Sequence, residues 1–229
     1  MAKKEEHKHE LIENPEALKE RLVGAETWLE SNPKITLGIA AAILLGVGAY
    51  FGFHYYKGSQ DLLAQKEMFQ AVYYFEADSL DKALNGDGNN LGFLNIIEDY
   101  GITDAGKLAN YYAGVCFLKQ GKYEVSRLYL EDFNSSDLLV QARAYSLIGD
   151  TYMEEQKYED AASYYHKAAN YKPNRYFSPA YLMKEALAYE KLNQLDKAKE
   201  AYEKVITQYW ESGEYQNARK LKARLETNS

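Results

Sequence analysis

Nineteen consecutive residues, Ile35 to Phe53 (ITLGIAAAILLGVGAYFGF), carry no charge. A helix continued to Tyr56 would be about 33 Å long, close to the thickness of a bilayer's hydrocarbon core. Helices of that length in water keep a polar face, and this stretch offers none. The rest of the chain is strongly polar, with a mean hydropathy of -0.54 overall. No second segment is apolar enough to bury such a helix in a core. The stretch therefore predicts a transmembrane helix over 35–56, with an arm over 1–34 and a large soluble part behind it. A cleavable leader fits less well. Its n-region should be short and basic, whereas the first 34 residues hold eight acids against six bases.

The flanking residues refine this reading. Asn14-Pro15-Glu16 and Asn32-Pro33 each read as a cap followed by a proline at the first helical position. The first would open a short amphipathic helix with Leu18, Leu22, Trp28 and Leu29. A helix lying on the membrane surface and a solvated linker are both open readings of it. Within the span, Gly38, Ala42 and Gly46 recur every fourth residue and predict a face that lets a partner helix approach closely. Tyr50, Phe51, Phe53, Tyr55 and Tyr56 read as an aromatic belt. Lys34 and Lys57 balance each other, so charge does not orient the chain.

Beyond Lys57 helical periodicity continues through Leu62, Met68, Val72 and Phe75 to Leu84, giving divergent helical hairpins over 57–106. Asn85 to Asn90 superficially resembles a calcium loop. Asn90 stands where such a loop needs glycine and Ile96 where it needs a bidentate glutamate, so the segment reads as a turn. The net charge of -7 argues against a nucleic-acid surface. The single cysteine, Cys116, excludes an internal disulfide and any multi-cysteine metal site. The histidines are His7, His9, His54 and His166, and none sits in a metalloprotease-like motif. No nucleophile elbow or phosphate-cradling glycine loop is present. The expectation is a protein without cofactor, metal or catalysis.

From about Lys107 the chain becomes self-similar. Tyr145, Ile148, Gly149, Tyr152, Ala161, Tyr165, Ala168 and Pro173 follow the spacing of the tetratricopeptide repeat. Gly149 and Ala161 are small where two helices of a unit would cross, while Tyr152 and Tyr165 would fill the space between units. An offset of 35 places Gly114, Phe117, Tyr123, Ser126 and Leu130 on the same pattern; an offset of 37 does so for Ala186, Tyr189, Leu195, Ala198 and Tyr202. Repeats are thus expected over 107–139, 142–174 and 179–212, closed by a capping helix. The fold class is all-α: one N-terminal transmembrane helix followed by a tetratricopeptide-type α-solenoid.

In such a solenoid the first helix of each unit lines the concave side. The corresponding residues are Leu108, Tyr111, Val115 and Leu118; Arg143, Ser146, Asp150 and Met153; and Met183, Leu187 and Glu190. Two readings of them stand side by side: an adaptable peptide groove, or side chains that pack on the chain's own helices. The family's chaperone-binding variant clamps a terminal carboxylate with Lys and Asn, and Ser146 and Asp150 occupy two of those places, which argues against that use.

The span, the Glu98-Asp99-Tyr100-Gly101 to Gly121-Lys122-Tyr123 region and the repeats together resemble the YfgM-like family of bacterial envelope proteins. That resemblance implies a cytoplasmic N-terminus, a periplasmic repeat domain and residence in the inner membrane. It also implies an ancillary role at the SecYEG translocon, beside a periplasmic chaperone (a PpiD-like peptidyl-prolyl isomerase) and unfolded client proteins. A scaffold of another envelope complex, for cell division or outer-membrane assembly, is the alternative, and a cytosol-facing import receptor a further one.

Overall fold

The computed structural model describes residues 15–227. His7, His9 and the cap expected of Asn14 lie outside them. Among the described residues there are eleven helices and no strand. The chain divides into two units, one ending at Tyr56 and the other beginning at Lys57.

The N-terminal unit holds α1 (Pro15–Ser31) and the start of α2 (Pro33–Glu76). Asn32 separates them by working in both directions. Its side-chain amide donates to the Trp28 carbonyl at 2.9 Å, and its own carbonyl accepts from Ile35 and Thr36, both at 3.0 Å. The cap thus closes the preceding helix by side chain and opens the next by backbone, with Pro33 at the position where its missing N–H costs nothing. Among the described residues α2 is the one helix long and apolar enough to cross a bilayer, and none of its apolar window is buried. Leu37, Leu44 and Leu45 are each more than 70% exposed. This run is not the core helix of a soluble domain.

In the second unit the last turns of α2 bury Ala64, Met68 and Ala71 against α3 (Leu80–Asn85), α4 (Phe93–Tyr100) and α5 (Asp104–Lys119). Phe93 stacks on Tyr112 at 5.1 Å, with Phe75 edge-on at 5.2 Å. Thr103 caps α5 by accepting from Gly106 N–H at 2.9 Å, and Asp61 accepts from Ala105 N–H at 2.8 Å. With the Thr103 N–H on the Tyr100 carbonyl at 2.9 Å, three of the four orphan donors at that terminus are satisfied, one of them from α2. In the 85–90 turn, Asp87 Oδ1 accepts from the N–H groups of Asn89 and Asn90, and Oδ2 from the Tyr74 hydroxyl at 2.6 Å. The Tyr74 hydroxyl, followed by those N–H groups, holds the carboxyl well below its usual range.

The remaining helices pair as α5 with α6 (Tyr123–Asp132), α7 (Val140–Glu154) with α8 (Tyr158–Asn170), and α9 (Ser178–Lys191) with α10 (Leu195–Gln208). α11 (Tyr215–Thr227) buries Ala218 and Leu225 against the last pair. Its bases do not serve their own helix end alone: Lys222 bonds Glu203 at 2.8 Å and Arg224 bonds Glu190.

One close crossing recurs in the helix pairs. A Cβ on Gly114 would sit 2.6 Å from Leu130, and one on Gly149 2.7 Å from the Tyr165 ring. Each large residue follows its glycine by the same sixteen positions, as Tyr202 follows Ala186. The turns repeat as well. Gly121, Gln156 and Asn193 have φ of 73°, 60° and 55°. Their N–H groups reach back three residues and the next N–H reaches back five, the paired bonds of a Schellman ending. Asp78, after α2, has φ 55° and the same two bonds. A left-handed backbone is costly for a residue with a Cβ, so Gln156→Gly is expected to stabilise the fold by about 0.5–1 kcal/mol. Thermal melting checks this, and a lower midpoint would contradict it.

Tyrosine is abundant, at 22 residues, because its ring fills an inter-helix gap while its hydroxyl reaches an acceptor beyond. Tyr164 donates to Glu131 at 2.8 Å and Tyr171 to the Ser135 carbonyl at 2.9 Å. Both bonds run from one helix pair to the one before.

Candidate functional site

The first helix of each pair carries the residues expected to form a groove. Leu118 on α5, Asp150 and Met153 on α7, and Leu187 on α9 come together around one cleft of about 470 Å3. Tyr123, Glu154, Tyr165 and Lys184 complete its lining. Leu187 is 45% exposed, so the cleft has an apolar rim open to a partner.

Other expected groove positions lie elsewhere. Tyr111 is buried against Phe133, with ring centres 5.5 Å apart, and Val115 packs on the same cluster. Leu108 bridges that cluster and the one beneath α4, and also lines a separate cavity of about 500 Å3 with Lys107, Phe133, Asp137 and Val140. Arg143 is exposed beside Tyr111 and Tyr181. Burial raises both phenols, and the guanidinium pulls them part of the way back. Met183 packs against the core of the last two pairs.

Asp150 is not a free carboxylate. Both its oxygens accept from Lys184 Nζ at 2.8 Å, and Oδ1 also accepts from the Tyr165 hydroxyl at 2.6 Å. Lys184 further donates to Ser146 at 3.3 Å. The next unit repeats the device: Glu190 accepts from the Tyr202 hydroxyl at 2.6 Å and from Arg224. In each case the base lies 34 residues after the acid. An acid on one unit's first helix is thus held by its own unit's tyrosine and by a base two helices further along the chain. Burial, and then the neighbouring Asp150 charge, push the Tyr165 phenol far up, so it acts as a fixed donor. Sequence reasoning took Met183 for the groove and missed Lys184 beside it. No local pattern marks that pairing, because it depends on how one helix pair turns on the next.

Another inter-unit tie joins α6 to the end of α7. Arg127 on α6 is 8% exposed and donates to both Glu155 oxygens, at 2.8 and 3.2 Å, and to Thr151 at 3.2 Å. Its guanidinium lies 4.5 Å from the Tyr152 ring centre. The bidentate geometry and the stacking need arginine and would not be met by lysine.

Cys116 is buried, and burial pushes its thiol up to about 12, so the sulfur is an inert packing group. Among the described residues no three His, Cys, Asp or Glu side chains gather to hold a metal ion. What the cleft offers is contact: an apolar rim, a methionine that can adapt, and charges already tied to one another.

Comparison with known families decides what the repeated crossings and turns mean. The tetratricopeptide repeat family matches residues 142–175 and again residues 180–212. The chain contains tetratricopeptide repeats. The matched segments cover α7 with α8 and α9 with α10, the two pairs that carry Gly149 above Tyr165 and Ala186 before Tyr202. Comparison with curated proteins finds no match. Tetratricopeptide domains bind partner proteins, so the repeats make this chain a protein–protein interaction scaffold, and α2 is compatible with a single-pass membrane anchor.

Proposed function

We propose that this chain is a membrane-tethered subunit that binds polypeptides through its repeats beside a protein-export channel. In this reading α2 crosses the bacterial inner membrane, the N-terminus is cytoplasmic and the repeats are periplasmic. The channel is the SecYEG translocon. The repeats link it to a periplasmic chaperone, a PpiD-like peptidyl-prolyl isomerase, and to emerging client chains. The observation that carries the reading is the pairing, in one chain, of an uncovered apolar helix of membrane length with an open cleft lined by Leu118, Met153 and Leu187. The first calls for lipid and the second for a peptide. The translocon, the chaperone and the orientation come from the resemblance to the YfgM-like family.

Purification of the full chain from membranes in a mild detergent, followed by mass spectrometry, tests this. Recovery of translocon subunits is expected. Recovery of a cell-division or outer-membrane-assembly complex without any Sec subunit would reject it. Docking within the bilayer is assigned to Gly38, Ala42 and Gly46. A Cβ on either glycine meets nothing within 4 Å, so leucine there disturbs no contact of the chain itself. Replacing all three with leucine is expected to lower co-purification of the channel severalfold while membrane insertion persists, because only close helix approach is lost. An unchanged yield would remove that face from the account.

A further inference from the structure

A different cavity, about 430 Å3, opens between α8, α9 and α10, away from the residues of the cleft. Glu159, Ser163 and His166 line it from α8, Glu185 and Tyr189 from α9, and Glu200 and Lys204 from α10; Gln194, in the turn, and Lys197 complete its polar lining. Glu185 is only 4% exposed. Its Oε1 lies 3.0 Å from His166 Nδ1, but its Oε2 is buried with no hydrogen-bond partner. Gln194 is in the same condition: its amide N–H donates to Glu159 at 3.2 Å, and its buried Oε1 has no donor.

The nearby cations do not reach these oxygens. Lys204 is paired with Glu200 at 3.2 Å, and Lys197 lies over the Tyr189 ring at 5.3 Å. Two buried acceptors in one open cavity have no donor from the chain, and since buried polar atoms are nearly always bonded, water or a partner supplies it. They stand on different elements, so the donor must present N–H groups in more than one direction. A guanidinium does so, stays charged at any relevant pH and sheds water more readily than an ammonium.

We propose that this cavity receives an arginine side chain of a partner polypeptide, whose guanidinium donates to Glu185 Oε2 and Gln194 Oε1. The aliphatic stem would lie along Tyr189 and Ala201, which share the lining. The site is separate from the cleft and does not depend on which membrane machine the chain serves. A partner could therefore be held at two places on the repeats. Burial pushes the Glu185 carboxyl above its usual range against the opposing pull of His166.

The test uses the full chain in detergent micelles and two probes, acetyl-Gly-Arg-Gly-amide and its citrulline counterpart, which is equal in shape but uncharged. The readout is the His166 imidazole resonance, assigned through His166→Asn. The arginine peptide is expected to shift it saturably, and the citrulline peptide to bind at least about tenfold more weakly. Glu185→Gln should weaken arginine binding about tenfold while melting no lower than the parent at pH 8. Should that variant fail to fold, Gln194→Ala gives the same comparison with an expected loss of about tenfold, since the bond it removes has an ionised donor. Equal shifts from both peptides, no shift from either, or undiminished arginine binding by the variant that folds would overturn the proposal.

Discussion

Gly149→Leu is expected to unfold the central helix pair. The first added carbon alone would lie 2.7 Å from Cε1 and 2.8 Å from Cδ1 of Tyr165, closer than real Cβ contacts. The ring cannot swing aside cheaply. It is 2% exposed, and its hydroxyl is bonded to Asp150 at 2.6 Å, the carboxylate that also holds Lys184. Overpacking at this point therefore breaks an inter-unit tie as well, and we place its cost at about 3 kcal/mol, the upper end of the usual range. In a stack where each unit touches only its neighbours the loss should be local. Hydrogen exchange should accelerate through α7 and α8 while the amides of α4 and α5 stay protected, and the melting midpoint should fall by roughly 6–12 °C. An unaltered midpoint and unaltered exchange in α7 and α8 would show that the crossing is not where the repeat places it.

Arg127→Ala should cost about as much for a different reason. It removes a two-bond ion pair to Glu155, a bond to Thr151 and the contact with the Tyr152 ring, leaving the Glu155 carboxylate only 23% exposed and without its guanidinium. Lys157 still pairs with that carboxylate at 3.0 Å, so the lost Thr151 bond and Tyr152 contact count beside the broken pair, and we place the cost at about 3 kcal/mol. Arg127→Lys should recover less than half of that, since one ammonium cannot supply the fork. The loss should also depend on pH. Arg127, with Lys157 adding to it, lowers the Glu155 pKa below its usual value. A carboxyl depressed in the folded state contributes stability that is present above its unfolded pKa and disappears as pH falls through the folded one. The gap between parent and Arg127→Ala in a urea titration should therefore be full at pH 7 and narrow on acidification below about pH 4. A gap that stays constant to low pH would mean that packing, not the ion pair, carries the effect.

These two sites also mark how far the sequence could be read. The close crossing at Gly149 was legible because it admits no side chain, but the group that meets it is the Tyr165 ring, which the spacing places between units. The turns at Gly121, Gln156 and Asn193 were legible from their equivalent places, although Gln156 hides the left-handed backbone that Gly121 advertises. Arg127 with Glu155, and Asp150 with Lys184, were not legible. Each tie joins helices 28 or 34 residues apart, and only the rotation of one helix pair on the next decides which charges meet. The groove illustrates the same limit. Position along α5 marks Leu108, Tyr111 and Val115 as facing the concave side, but Phe133 and the start of α7 cover that stretch. Further along, where no helix lies over them, Leu118, Met153 and Leu187 are left around an open cleft.

This open part of the repeats is expected to hold another polypeptide while the chain sits in a membrane. A photo-reactive amino acid placed at Leu187 of the full chain, activated in intact cells, tests it most directly. A discrete cross-linked polypeptide is expected, recovered in the membrane fraction and lost when Met153→Glu is introduced in the same cleft. Irradiation that leaves the chain uncross-linked at Leu187, or that yields the product only in the soluble fraction, would contradict it.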